Sequence, residues 1–257
     1  MPTVVIEITY KCPLNCPNCP IANLKLNSGI LPLAKFAHYL DFADRLFSSE
    51  EKGEFYCIIS GGEPSIVNNL REYVRIAQDR GYRVTVVSTG FNPETLLSCN
   101  ADLLEISLDY STAEKHDTHR GFIGLFSRAT RVIRESSNSV IRSTYYVHNY
   151  LDIINLALNY RDRYVFVMPE IIKASNGEYY KRQILSAHLK FFKRCSNIIL
   201  PRGCNHLKFI TIDLFGNCLL CPFCRVYIGK ITDGVESVRE RLGRWGRRCP
   251  ARVLRGD

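Results

Sequence analysis

No stretch of this 257-residue chain approaches the ~18 consecutive apolar residues that a membrane-spanning helix needs, so none is expected. The opening MPTVVIEITYKC lacks the charged-then-apolar layout of a secretory signal and reads as a strand from Thr3 onward, which makes the cytoplasm the expected compartment. No segment repeats another. Low-complexity character is absent too: 46% hydrophobic residues, 23% charged residues and a mean hydropathy of −0.09 belong to a folded chain rather than a disordered one. The length suits one large α/β domain, or a domain of ~200 residues with a small appendage. Acids are few beside bases, with 25 against 34 and a formal net charge of +9. From Arg225 onward nine Lys or Arg face only Asp233, Glu236, Glu240 and Asp257. No aromatic-interleaved groove accompanies this charge, so it reads as a solvated face and nucleic acid is not an expected partner.

Cysteine is what the chain has in excess. Eleven are present, an odd number that cannot all pair as disulfides. Cys12, Cys16 and Cys19 crowd near the start; Cys204, Cys218, Cys221 and Cys224 fall close together, and Cys249 follows. In a reducing compartment such groups point to metal ligands or catalytic thiols. The isolated Cys57, Cys99 and Cys195 read as small buried apolar residues.

Residues 3–9, 55–60, 83–88, 103–109, 140–147 and 164–169 are rich in Val, Ile, Tyr and Phe and bounded by turn formers, and read as six strands. Helical spacing occupies 33–47, 69–81 and 125–136, with further helices expected near 151–160, 178–194 and 234–242. Strand–helix alternation implies parallel pairing through right-handed crossovers, hence an α/β layered sheet or an incomplete barrel. In either, ligands gather at the carboxyl ends of the strands. After about Leu200 the composition changes. LKFITIDL, a turn at Phe215-Gly216-Asn217 and CLLCP read as a hairpin, followed by a Cys-rich stretch and a helix. The expected division is therefore a core over 1–200 and a small Cys-rich extension over 201–257, stapled by something other than apolar burial.

In KCPLNCPNCP, Pro13, Pro17 and Pro20 oppose a helix and let the loop turn its three thiols inward. Three thiolates can hold three irons of a [4Fe–4S] cube and leave the fourth open, or supply three ligands of a zinc site completed from elsewhere. Three further motifs follow successive strands. Ser60-Gly61-Gly62-Glu63-Pro64 offers backbone carbonyls able to approach a ligand closely and a charge suited to an ammonium. VVSTG (86–90) ends the third strand, and ISLD (106–109) ends the fourth with Ser107 and Asp109, groups able to meet ribose hydroxyls.

The combination of CxxxCxxC, GGEP, STG, and SLD followed by HDTHRG (116–121) resembles the radical S-adenosylmethionine (radical SAM) superfamily over roughly residues 3–170. The resemblance implies a partial (β/α)6 barrel, with Cys12, Cys16 and Cys19 holding a [4Fe–4S] cluster whose open iron binds the amino and carboxylate groups of S-adenosylmethionine. It places Gly61, Gly62 and Glu63 against the methionyl amino group. Ser88, Ser107 and Asp109 would face ribose or methionine, and Arg120 would reach the carboxylate. It also implies an electron donor of ferredoxin or flavodoxin type, and reductive cleavage of the sulfonium to a 5′-deoxyadenosyl radical that abstracts a substrate hydrogen. The family usually carries an aromatic residue before the third cysteine, near the adenine; here Asn18 stands there.

KFITIDLFGNCLLCP resembles the auxiliary-cluster extension called SPASM, or its shorter form, Twitch. Five thiols after residue 200 suffice for one such cluster at most. The favoured ligand set is Cys204, Cys221, Cys224 and Cys249, because Cys218 falls near the hairpin tip; a set containing Cys218 in place of Cys204, and a tetrathiolate zinc knuckle, stand as alternatives. HDTHRG looks most like the peptide-modifying branch, so a peptide or protein is the first expected substrate. A small-molecule dehydrogenase or cyclase is second, and a non-catalytic Fe–S or zinc protein binding RNA is the alternative from another class.

Overall fold

The computed structural model describes residues 1–17, 19–22, 24, 29–47, 54–173, 178–200, 208–246 and 251–254. Strand β1 (Thr3–Thr9) sends Val4, Ile6 and Ile8 into the apolar core, while Glu7 and Thr9 stand on the opposite face, as the two-residue period of a strand dictates. Helix α1 (Leu33–Phe47) buries Phe36, Tyr39, Leu40, Ala43 and Phe47 on one side, and the chain then enters β2 (Phe55–Gly61). The pattern repeats through α2 (Leu70–Gln78), β3 (Tyr82–Ser88), α3 (Pro93–Ser98), β4 (Leu103–Ser107), α4 (Ala113–Arg120), α5 (Leu125–Glu135), β5 (Ser139–Tyr145), α6 (Tyr150–Asn159) and β6 (Val165–Pro169). Strands β1 to β6 pair in chain order, every neighbour parallel. This is the run of parallel pairings that the alternation implied.

Beyond β6 the expectation of one helix over 178–194 is corrected. Strands β7 (Ile171–Lys173) and β8 (Tyr179–Arg182) pair antiparallel, and only then does α7 (Ser186–Phe192) form. The cross-strand pairing of Tyr180 with Ile172 satisfies backbone groups that helical spacing alone would have assigned to a helix. Strand β9 (Ile198–Ile199) then closes on β6.

The extension joins the same sheet. Strand β10 (Phe209–Ile212) lies parallel to β1, and the expected hairpin forms with β11 (Asn217–Leu219) antiparallel to β10, Ile212 opposite Cys218. Strand β12 (Tyr227–Lys230) follows, and α8 (Val235–Trp245) turns back onto α1, where Arg239 donates to the carbonyls of Arg45 and Leu46. The described sheet runs β12-β11-β10-β1-β2-β3-β4-β5-β6-β9, an open sheet with two edges and no closed barrel. Strand β13 (Arg252–Leu254) joins β8 in a separate small sheet. No described helix is long and apolar enough to cross a membrane.

Candidate functional site

Four motifs that are far apart in sequence meet at the carboxyl ends of β1 to β4. The cysteine loop leaves β1 with Cys12, Cys16 and Cys19 all partly exposed. It is held from two sides. The Gly62 N–H donates to the Thr9 carbonyl at 2.6 Å and the Glu63 N–H to the Lys11 carbonyl at 2.9 Å, while the Asn15 N–H donates to the carbonyl of Arg120 at 3.0 Å. Gly61 has φ +129°, a backbone that side chains rarely adopt. A Cβ on Gly62 would stand 2.8 Å from the carbonyl carbon of Tyr10. The paired glycines thus serve first to let the GGEP loop lie on the root of the cysteine loop.

The Glu63 carboxylate, read from sequence as a charge suited to an ammonium, is engaged by its own chain. It is fully buried and accepts four hydrogen bonds: Ser65 N–H (2.9 Å) and Ser88 Oγ (2.6 Å) on Oε1, Thr89 N–H (2.8 Å) and Thr89 Oγ1 (2.5 Å) on Oε2. Ser88 is spent in the same network, since its hydroxyl also accepts from the Gly90 N–H at 3.0 Å. These groups lock the second and third strand ends together. Ser107 differs. It is half-buried at the end of β4, and its hydroxyl makes no hydrogen bond among the described residues.

Asp109, expected at ribose, is also turned inward. Its Oδ2 accepts from Arg120 Nε at 2.9 Å and Nη2 at 2.5 Å, and its Oδ1 from the Thr144 N–H at 2.8 Å. Burial opposes its charge, but the Arg120 guanidinium and the Thr144 amide together hold the carboxyl below the usual carboxylate range. Arg120 Nη1 lies 3.6 Å from Cys16 Sγ. One cation therefore spans the fourth strand end and the cysteine loop, and its first partner is Asp109.

Residues that sequence reasoning left out complete this side. His116 Nδ1 accepts from the Asp109 N–H at 3.3 Å, and burial, then Arg120, lowers its pKa to about 4. His119 Nε2 stands 3.3 Å from Tyr146 Oη and 4.0 Å from Asp109 Oδ2; Tyr110 Oη stands 2.8 Å from His148 Nε2. The HDTHRG segment was the visible signal for His116 and His119. Nothing local marked the tyrosines, which arrive from the ends of β4 and β5.

In the extension, Cys218 belongs to the apolar core between sheet and helices, and burial followed by Asp213 pushes its thiol up to about 12. That environment opposes a metal-binding thiolate. Cys221 and Cys224 lie in the turn that follows β11, Cys221 half-buried and Cys224 buried. Cys204, Cys249 and Asn18 lie outside the described residues. Among the described residues no three Cys, His, Asp or Glu side chains are gathered tightly enough for a single metal ion. Cys57 and Cys99 are buried, as their isolation suggested, whereas Cys195, expected buried as well, is half-buried and packs against the core.

An open parallel sheet with a CxxxCxxC loop bound to GGEP at its strand ends defines an iron–sulfur, S-adenosylmethionine-binding class. The family model of the radical SAM superfamily matches residues 6–156, more than half of the sequence, and the chain belongs to that superfamily. Its members are enzymes that bind a [4Fe–4S] cluster and S-adenosylmethionine. The soft thiolate donors at 12, 16 and 19 fit such a cluster. The chain is 32% identical over 128 residues to an AdoMet-dependent heme synthase of Methanosarcina barkeri, a match covering 48% of this chain and 35% of that protein. It is 29% identical over 139 residues to a PqqA peptide cyclase of Ruegeria pomeroyi, covering 51% and 35%. The matched segment is thus about a third of the length of these curated relatives. Among solved structures, Streptococcus suis SuiB bound to precursor peptide SuiA superposes with a TM-score of 0.69 at 14% identity, over 89% of this chain and 61% of that one. That likeness shows the fold.

Proposed function

We propose that this chain cleaves S-adenosylmethionine reductively and uses the product radical on a peptide substrate. The observation that carries the reading is the pair of backbone hydrogen bonds from Gly62 and Glu63 to Thr9 and Lys11, which put the GGEP loop one residue from Cys12. Cys12, Cys16 and Cys19 would hold the cluster, and bound together the cluster and S-adenosylmethionine supply a 5′-deoxyadenosyl radical. The chain orients and shields. The carbonyls of the GGEP loop offer acceptors for an ammonium, while the Glu63 network keeps that loop rigid. Ser107 holds a hydroxyl ready for ribose. Arg120, balanced by Asp109, sets a guanidinium beside Cys16, a positive charge suited to a carboxylate at this corner.

The peptide assignment is supported by the peptide named for SuiB and for the PqqA peptide cyclase. The heme synthase relative supports a small-molecule substrate as the second reading. Cys221 and Cys224 would take part in one auxiliary cluster with Cys204 and Cys249; the burial of Cys218 in the apolar core supports that set over the one containing it. A low-potential one-electron donor of ferredoxin or flavodoxin type would serve the core cluster. Residues 1–200 and 201–257 would then be the core and the extension. Anaerobically reconstituted protein given S-adenosylmethionine and dithionite should release 5′-deoxyadenosine and methionine in equal amounts. Fully loaded protein that yields neither overturns the reading.

A further inference from the structure

Arg225 follows Cys224 and closes the turn that carries Cys221 and Cys224. Its backbone φ is +49°, a left-handed conformation uncommon for a side-chain-bearing residue. Its N–H donates to the Cys221 carbonyl at 2.8 Å, and beside it the Leu220 N–H donates to the Val226 carbonyl at 2.9 Å. The side chain leaves the turn for β1. Nη1 donates to Glu7 Oε1 at 2.5 Å, Nη2 to Glu7 Oε2 at 3.0 Å and to Tyr10 Oη at 2.9 Å, and Tyr10 Oη donates in turn to Glu7 Oε2 at 3.0 Å. Asp213 Oδ2 lies 3.9 Å from the same guanidinium. Across the turn, the Phe223 ring lies 5.4 Å from the guanidinium of Arg142, itself paired with Glu105. The turn is thus gripped by β1 at one end and by β5 at the other.

Glu7 is almost wholly buried. A forked ion pair of this kind adds little net stability over an apolar pair of the same volume, and its best-attested use is to specify one arrangement. Tyr10, at its centre, is two residues before Cys12. The guanidinium that fixes the second thiol pair is therefore bound to the root of the first cysteine loop.

We propose that Arg225 is a positioning residue that preforms the Cys221–Cys224 pair on the core sheet as half of the auxiliary metal centre, in register with the N-terminal cysteine loop. This rests on the auxiliary-centre reading above. Glu7, Tyr10 and Asp213 act through it by fixing its fork.

Pulsed alkylation of the reduced, metal-free full chain, read by mass spectrometry, tests the positioning without any cluster. In Arg225→Gln, Cys221 and Cys224 should react about tenfold faster than in the wild type, because local opening of the turn exposes them, while the core thiol Cys57 stays protected. Arg225→Lys, which keeps the charge but not the fork, should fall between. After reconstitution with iron and sulfide, Arg225→Gln should lose the auxiliary centre's EPR signal and about four irons per chain, yet keep the S-adenosylmethionine-induced change at the core cluster. Unchanged alkylation of Cys221 and Cys224, with Cys57 protected, overturns the proposal. Should Cys57 become reactive as well, Glu7→Gln replaces it as the test, and unaltered alkylation in that variant overturns the proposal equally. A wild type holding only about four irons would sink the auxiliary-centre reading instead, and the alkylation rates would still decide the role of Arg225.

Discussion

Thr89 donates to Glu63 Oε2 twice, through its N–H at 2.8 Å and its hydroxyl at 2.5 Å, and so fastens the end of β3 to the GGEP loop. Since that loop is bound to the root of the cysteine loop, the Glu63 carboxylate holds three strand ends in one frame. Glu63→Gln replaces an acceptor with a donor against groups that already donate. It should cost about 1–3 kcal/mol of stability in denaturant titrations, with a loss of S-adenosylmethionine affinity.

Gly62→Ala leaves every thiol and charge in place but sets a methyl against the backbone of Tyr10 and Lys11. Iron content should stay at the wild-type level while 5′-deoxyadenosine formation falls on the order of 10²-fold, the scale of a misplacement of about an ångström. Wild-type turnover in this variant would show that the close approach is unimportant.

Arg120→Met strips Asp109 of its partner in a fully buried position. Removing one member of such a pair costs about 3–5 kcal/mol, and the double change to Asp109→Asn with Arg120→Met should recover part of it, since no lone charge then stays buried. Equilibrium unfolding of Arg120→Met, Asp109→Asn and the double variant checks the cycle.

His116 is neutral in the fold with its pKa lowered to about 4, so between that pH and 6.5 the unfolded chain binds a proton that the folded chain does not. Stability from this group is complete above about 6.5 and falls as the pH drops toward 4, by an amount on the order of 3 kcal/mol. The lowered pKa of His119 acts in the same direction. Melting curves at pH 7.5 and 5 should therefore separate more for the wild type than for His116→Asn, whose amide oxygen can still accept from Asp109. Equal pH sensitivity would remove the argument.

Cys218→Ala should leave the iron content untouched, because the thiol belongs to the apolar core. Cys221→Ala and Cys224→Ala should each lower it by about four irons per chain. Loss of iron in Cys218→Ala would favour the alternative ligand set, with Cys218 in place of Cys204.

Much was legible from residues alone, and the reason is locality. Six strands announced themselves because a parallel strand buried on both faces needs a run of β-branched and aromatic residues wherever it sits. Thr3–Thr9 and Leu33–Phe47 form over the expected spans. The cysteine spacing and GGEP are chemistry written along the chain. The short polar helix α4 and the capped α3 left no periodic trace, and β7 and β8 were masked because their hydrogen bonds lie across strands rather than along one.

The sequence named the candidate groups; it did not say which way they face. Glu63, Ser88 and Asp109 carry suitable chemistry, yet each spends it on a neighbour brought from another strand, while the Ser107 hydroxyl makes no hydrogen bond among the described residues. Arg225 looked like one more base in a charged tail until folding set it on Glu7, 218 positions away. Residue type follows from the gene, but burial and partnership exist only once distant segments share a place, and those two decide whether a charge meets solvent, ligand or its own protein.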